Sequence, residues 1–190
     1  MSQQLRIAVL MTLATTVLFG LIYPLGVTGI AQLFFADKAN GSLISRDGKM
    51  VGSALLGQGF SSPGYFRPRP SVAGDGYDGA NSGGSNLAAT NRQLIERVNS
   101  DVARLSKENP GPMVPVDLVT TSASGLDPDI SPAAAEFQIS RVARERGMTE
   151  AEVRALVARY TQPRQFGVLG EPRVNVLLLN LALDSSHPKR

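Results

Sequence analysis

The side chains that could perform chemistry are few in this chain and are poorly arranged for catalysis. The sequence contains no cysteine, which excludes disulfides, thiolate metal sites and a cysteine nucleophile. The single histidine, His187, lies in the terminal tail beside Ser185 and Ser186, where nothing packs and orients it as a catalytic triad requires. We therefore predict that His187 is a surface residue and that the chain has no catalytic or metal-binding residues.

Two groups of acidic residues could bind a cation or transfer a proton. Asp75, Asp78 and Asn81 lack the alternating ligands and the bidentate glutamate of a calcium loop, so they predict a solvated turn. Asp127 and Asp129 precede a predicted helix and have no evident partner acid or base. We expect both carboxylates to face solvent on a rigid loop that leads into the helix.

A glycine-rich turn is the strongest candidate for ligand binding. It stands at a predicted helix start, where backbone N–H groups can bind an anion. No Gly-Lys-Ser/Thr follows it, so it is not a P-loop. The pattern favours a turn with a helix cap, and phosphate binding remains the alternative. Its residues are Ser82, Gly83, Gly84, Ser85 and Asn86.

An uncharged segment from Ile7 to Ala36 precedes all of these residues. About 20 apolar residues in helical form cross the hydrocarbon core of a bilayer. We therefore predict a short tail over residues 1–6, a transmembrane helix over 7–36 and a soluble domain over 37–190. The apolar run is roughly twice as long as that of a signal peptide and lacks a clear cleavage site, which indicates a retained anchor.

The charges that flank this segment predict its orientation. Arg6 and the amino terminus lie on one side, whereas Lys38 is offset by Asp37 on the other. This asymmetry favours a cytoplasmic N-terminus, because positive charge is retained on the cytoplasmic side. The soluble domain is then expected outside the cytoplasmic membrane.

Small residues and a proline are concentrated in the second half of the predicted span. Gly20, Gly26 and Gly29 would let another helix approach closely, and Pro24 removes one backbone donor and should bend the helix. Two interpretations stay open at this point: packing against a partner protein, or the ordinary glycine and proline content of membrane spans.

The soluble domain mixes helix and strand patterns without a βαβ rhythm, which favours the α+β class. Turn signals at Asn40-Gly41 and Asp47-Gly48 predict a hairpin, and Gly57–Asn86 indicates a long ordered loop. Helices are predicted from Ser85 or Asn86 to about Lys107, from Ser131 to Gly147, and from Thr149 to Tyr160; strands are predicted at Val114–Val119 and about Arg173–Leu183.

The two short helices at 133–146 and 150–160 superficially match a DNA-binding helix-turn-helix. Their arginines alternate with glutamates such as Glu136 and Glu145, which indicates solvated faces with ion pairs between successive turns. The net charge of +3 comes from scattered arginines and not from a basic block. We therefore predict no nucleic-acid partner.

Several motifs, taken in order along the chain, resemble the C subunit of the Kdp potassium-transporting ATPase. They are Tyr23-Pro24-Leu25, Gly57-Gln58, Tyr65–Ser71, Ser82–Asn86, Val119–Ser131 and Leu179–Asp184. The resemblance covers nearly the whole chain, anchor included, and VTTSASGLDPDISPAAA and SGGSN are its most specific parts. The predicted partner-packing set is Gly20, Tyr23, Pro24, Gly26 and Gly29.

This resemblance implies a non-catalytic accessory subunit of a high-affinity, ATP-driven potassium uptake complex in the bacterial inner membrane. The implied partners are membrane lipid, the pore-forming A subunit, the ATP-hydrolysing B subunit and the small F subunit. Such subunits are described as supporting assembly and as raising the ATP affinity of the B subunit in a ternary complex. Because Ser82–Asn86 is similar to the signature loop of ABC transporters, ATP is the one cofactor that the resemblance suggests.

The predicted orientation conflicts with a direct nucleotide role. ATP is cytoplasmic, whereas the anchor places Ser82–Asn86 outside, beyond about 30 Å of hydrocarbon. A second hypothesis is therefore an extracellular cap or gate over the pore subunit with no nucleotide role. A third is a free-standing, membrane-anchored binding module of the envelope.

Overall fold

The computed structural model describes residues 2–186, and the chain divides into two compact units, one ending at Ser53 and the other beginning at Ala54. Helices and short strands both occur, which confirms the predicted α+β class behind one N-terminal apolar helix.

The first unit begins with an apolar helical run from Ser2 to Ala39 that is long and apolar enough to cross a membrane. It comprises α1 (Ser2–Val17), a π-helical turn (Leu18–Ile22) and α2 (Tyr23–Ala39). The π-helical turn ends two residues before Pro24. Because the proline ring clashes with the carbonyl four residues earlier and has no N–H to donate, regular α-helical bonding cannot continue through this point.

A β-hairpin completes the first unit. Strands β1 (Leu43–Arg46) and β2 (Lys49–Ser53) pair antiparallel. Asp47 and Gly48 between them have φ values of 52° and 75°. Positive φ at both central residues is what a type I′ turn requires, and Asp-Gly is a favoured pair for it. The hairpin expected from the turn signals is thus confirmed.

The second unit opens with an irregular segment over residues 54–90. Its helices and strands follow in the order α3 (Arg92–Glu108), a 3₁₀ turn (Val116–Leu118), β3 (Asp129–Ile130), α4 (Pro132–Arg146), α5 (Glu150–Tyr160), β4 (Thr161–Gln162), β5 (Arg173–Asn175) and α6 (Val176–Ser186). The short strands form one antiparallel sheet in the order β3-β5-β4.

Helices α4, α5 and α6 supply most of the core of the second unit, with Phe66 from the irregular segment buried among them. Local sequence signals determine the ends of α4 and α5. Ser131 caps α4, which ends at Gly147 in the left-handed conformation, and Thr149 forms a capping box with Glu152. Each such cap stabilises a helix by about 1 kcal/mol. The predicted bounds of α4 and α5 are confirmed.

Helix α3 begins later than the sequence predicts. Asn91 is its cap and accepts a hydrogen bond from the backbone N of Gln93 at 2.8 Å. The predicted start at Ser85 or Asn86 is wrong, because the helix begins at Arg92 and Asn86 has a φ of 51°, whereas a helix cap such as Asn91 is extended.

Both strands predicted in the second half of the chain need correction. The Val114–Val119 segment contains a 3₁₀ turn and no strand. At Arg173–Leu183 only Arg173–Asn175 is a strand, and helix α6 follows at once. A short apolar run bounded by polar residues has the same pattern in a buried helix and a buried strand, so periodicity did not separate the two.

Candidate functional site

Four residues of the predicted partner-packing set recur at three-residue intervals in the apolar helix: Gly20, Tyr23, Gly26 and Gly29. Adjacent members of this set are neighbours on the helical surface, and all four are exposed. Three such steps turn about halfway round a helix, so Gly20 and Gly29 do not share a face. A Cβ atom at Gly26 or Gly29 would meet no atom of the described chain within 4 Å. Nothing within residues 2–186 therefore requires glycine at these two positions.

The glycine-rich turn Ser82–Asn86 is not at a helix start, so the predicted anion site loses its helix N-terminus. Its backbone instead packs against the Ser122–Gly125 segment. The Gly83 N–H donates to the carbonyl of Ser124 at 2.9 Å, and Ser82 Oγ donates to the same carbonyl at 3.0 Å. A Cβ on Gly84 would lie 2.9 Å from the carbonyl oxygen of Ala123. Close backbone approach accounts for the glycine at position 84.

The segment Tyr65–Pro70 lies at the centre of the second unit, held by two buried side-chain amides. Asn180 on α6 accepts from the Phe66 N–H and donates to the Phe66 carbonyl, both at 2.9 Å. Gln138 on α4 likewise accepts from the Arg67 N–H at 2.8 Å and donates to its carbonyl at 3.1 Å. Each side-chain amide thus satisfies the backbone N–H and carbonyl of one residue, as a neighbouring β-strand would.

Two buried arginines fix the start of the same segment. Arg141 donates to the carbonyls of Pro63 and Tyr65. Burial, followed by the nearby Arg67 guanidinium, lowers the pKa of Arg141 to about 10. Arg146 pairs with Asp184 at 2.8 Å and lies 4.6 Å from the centre of the Tyr65 ring. The irregular segment is therefore ordered by contacts and is not a flexible linker.

The aspartates predicted to face solvent are both ion-paired. Asp127 binds Arg69 at 3.0 Å, and Asp129 binds Arg173 at 2.9 Å. Burial raises the pKa of Asp129, although Arg173 opposes that shift. The expectation that these carboxylates lack partners is wrong, and their contacts make the Asp127–Asp129 loop rigid.

A cavity of about 470 Å³ lies beside Tyr65–Pro70 and helix α3. It combines aromatic, proline and aliphatic side chains with the charged residues Arg67, Asp101, Arg104, Glu108 and Arg141. Glu108 is central to these charges, since both of its carboxylate oxygens lie 2.9 Å from Nη1 of Arg67.

The sequence alone did not predict this cavity or the two buried amides, Gln138 and Asn180. Asn180 was visible only as a polar interruption in an apolar run, and nothing distinguished Gln138 from other polar helix residues. Within residues 2–186, no group of three or more His, Cys, Asp or Glu residues could hold a metal ion. The predicted surface residue His187 lies outside the described residues.

Comparison with known proteins identifies the family. The family model described as "KdpC: K+-transporting ATPase, c chain" matches residues 5–185. A potassium-transporting ATPase KdpC subunit of Koribacter versatilis is 60% identical over 99% of this chain and 97% of its own length.

Other relatives of the same name match over nearly their full length. The subunit of Acidobacterium capsulatum is 57% identical over 96% of this chain and 98% of its own. That of Rhodopseudomonas palustris is 53% identical over 98% of this chain and 100% of its own. The chain therefore belongs to the KdpC family, the c chains of K+-transporting ATPases.

Proposed function

We propose that this chain is a non-catalytic accessory subunit that helps to assemble an ATP-driven potassium uptake complex through its membrane helix. The observation that carries the proposal is the apolar helix Ser2–Ala39, whose most apolar window is entirely unburied within the chain. A bare helix of this kind finds its partners in lipid and in other membrane helices. The expected partners are the pore-forming A, ATP-hydrolysing B and small F subunits.

The small residues of the helix support contact with another subunit. Membrane helices associate through close packing, which glycine permits, because lipid tails are as apolar as the side chains themselves. Gly26 and Gly29, which are three residues apart and follow Pro24, offer such a surface, because a Cβ atom at either position would find open space. Gly20 and Tyr23 precede them along the same helix.

Co-purification tests the assembly role. After solubilisation in a mild detergent, we expect the tagged chain to elute with larger membrane proteins in stable proportions. Elution of the chain alone, from cells that express the complete set of subunits, would contradict the proposal and favour the free-standing envelope module.

We further propose that the second unit lies on the outer side of the inner membrane, where it caps the pore subunit. The flanking charges at Arg6 and at Asp37 and Lys38 support this orientation. Because the chain has no cysteine, Ser82→Cys introduces a single thiol at an exposed position. A membrane-impermeant maleimide should label it in intact cells; labelling only after the cytoplasm is opened would overturn the orientation.

A role in ATP affinity would then be indirect, exerted through the assembled complex. The Gly83 N–H that could hold a phosphate is already donated to Ser124. We expect ATP to leave hydrogen exchange in Ser82–Asn86 unchanged in the isolated chain. Slower exchange confined to this loop on addition of ATP would restore a direct nucleotide site.

A further inference from the structure

The cavity beside Tyr65–Pro70 has the composition of a small-molecule site. Much of its lining is apolar, from Phe60, Pro68, Pro70, Tyr77, Leu105 and Phe137. Ligand sites are typically concave and mostly apolar, with a few polar groups that fix orientation. The charged residues Arg67, Arg104 and Glu108 lie on the same cavity and would supply that polar part.

Positive charge is in excess around this cavity. Glu108 lies within ion-pair distance of Arg67 at 2.9 Å, Arg104 at 3.4 Å and Arg141 at 3.6 Å. Asp101 pairs with Arg104 at 2.9 Å and with Arg97 at 3.7 Å. Four guanidinium groups thus share two carboxylates in these ion pairs, and three of the four, those of Arg67, Arg104 and Arg141, line the cavity.

The pKa of Arg141 reflects this crowding. Burial lowers it first and the neighbouring Arg67 lowers it further, with only partial compensation from the carboxylates of Glu108 and Glu145. Opposite charge close to a buried cation stabilises its charged form. A further anion in the cavity would therefore be favourable for the whole cluster.

Arg67 has the donors that such an anion needs. Its Nη1 donates to Glu108, whereas its Nε and Nη2 donate to no residue in the described part of the chain. The Arg67 side chain is 28% exposed, so a ligand from solvent can reach it. Nε and Nη2 form one edge of the planar guanidinium, and such an edge can donate two parallel hydrogen bonds to a carboxylate.

We infer that this cavity binds a small amphipathic carboxylate. The carboxylate lies on the Nε–Nη2 edge of Arg67, and the apolar body of the ligand packs against Phe60, Tyr77 and Leu105. A neutral ligand of the same shape makes the apolar contacts but forfeits the charged hydrogen bonds. Preference for the charged ligand therefore distinguishes a specific binding site from a non-specific apolar cavity.

The test compares 4-fluorophenylacetate with its neutral analogue 4-fluorophenylacetamide by fluorine NMR, using the full chain in lipid nanodiscs. Hydrogen bonds to charged groups are stronger than neutral ones by an amount that corresponds to about tenfold in affinity. We expect the acid to bind about tenfold more tightly than the amide. Equal dissociation constants for the two probes would overturn the inference.

Variants locate the site. Arg67→Gln should weaken acid binding to the level of the amide, whereas Arg164→Gln, which removes an exposed arginine paired with Glu171 outside the cavity lining, should leave both constants unchanged. Unaltered acid binding by Arg67→Gln would refute the assignment.

A second variant covers the case in which Arg67→Gln does not fold. Glu108→Gln removes the competing carboxylate and should tighten acid binding severalfold while leaving amide binding as it is. Damage to the fold would weaken both probes, so only a site of the proposed kind gives a gain for the acid. No gain for the acid with Glu108→Gln would overturn the inference.

Discussion

Replacement of Asn180 by leucine tests whether the buried amides hold the second unit together. Asn180 is 1% exposed, so the change substitutes an apolar side chain of similar size at a buried position of α6. The greater hydrophobicity of leucine alone would make the variant more stable than the wild type. The geometry predicts the opposite, because the N–H and carbonyl of Phe66 both lose their partner.

The size of the loss follows from those two groups. Each buried group left without a partner costs about 1–3 kcal/mol, giving roughly 2–6 kcal/mol for the pair. Burial of leucine offsets about 2 kcal/mol of this. We therefore expect the free energy of unfolding to fall by about 2 kcal/mol, which lowers the Tm by roughly 4–8 °C in a protein of this size.

Thermal unfolding of the full chain in detergent, followed by near-ultraviolet circular dichroism, measures this change. Ser185→Leu, an exposed substitution on the same helix, is the control and should shift the Tm little. Hydrogen exchange adds a local readout, since the Phe66 amide should exchange faster in Asn180→Leu. A variant with unchanged or raised Tm would refute the role assigned to Asn180.

Three further predictions concern stability. Gly125→Ala should lower the free energy of unfolding by about 2 kcal/mol more than Gly170→Ala, measured from urea unfolding midpoints. Both glycines have positive φ, but of the two only Gly125 would place a Cβ atom 2.6 Å from a backbone oxygen. Asp184→Asn should cost about 3 kcal/mol by leaving Arg146, 1% exposed, without its carboxylate; an unchanged Tm would contradict this. Although burial alone would raise the pKa of Glu108, its arginine neighbours lower it below 4.5. The ionised Glu108 carboxylate therefore stabilises the fold fully above pH 4.5, and this contribution is lost as pH falls through the folded-state pKa. Glu108→Gln should thus lose less stability than the wild type on acidification.

The elements predicted correctly are those whose signals are local. The Asp47-Gly48 turn, the cap at Ser131 and the capping box at Thr149 each depend on residues within a few positions of one another, so the sequence alone indicates them. The predicted start of α3 was wrong because its cap signal is ambiguous. Asn86 and Asn91 are the same residue type, so the preference of asparagine for helix caps does not by itself distinguish the two positions.

The candidate site was beyond prediction because its contacts are long-range. Gln138 bonds a residue 71 positions away, and Asn180 bonds one 114 positions away. No spacing rule connects such positions. The ion pair between Asp127 and Arg69 spans 58 positions, which is why those carboxylates were expected to face solvent.

The most direct test is whether the surface formed by Gly26 and Gly29 on the membrane helix joins this chain to other subunits. Gly26→Leu adds a large side chain to that surface, whereas Ala14→Leu makes a similar enlargement elsewhere on the same helix. Quantitative co-purification from mild detergent, with membrane insertion checked by carbonate extraction, compares the two. We predict that Gly26→Leu inserts normally but recovers severalfold less of the partner subunits, and that Ala14→Leu recovers them as the wild type does. Full recovery with Gly26→Leu would contradict the account.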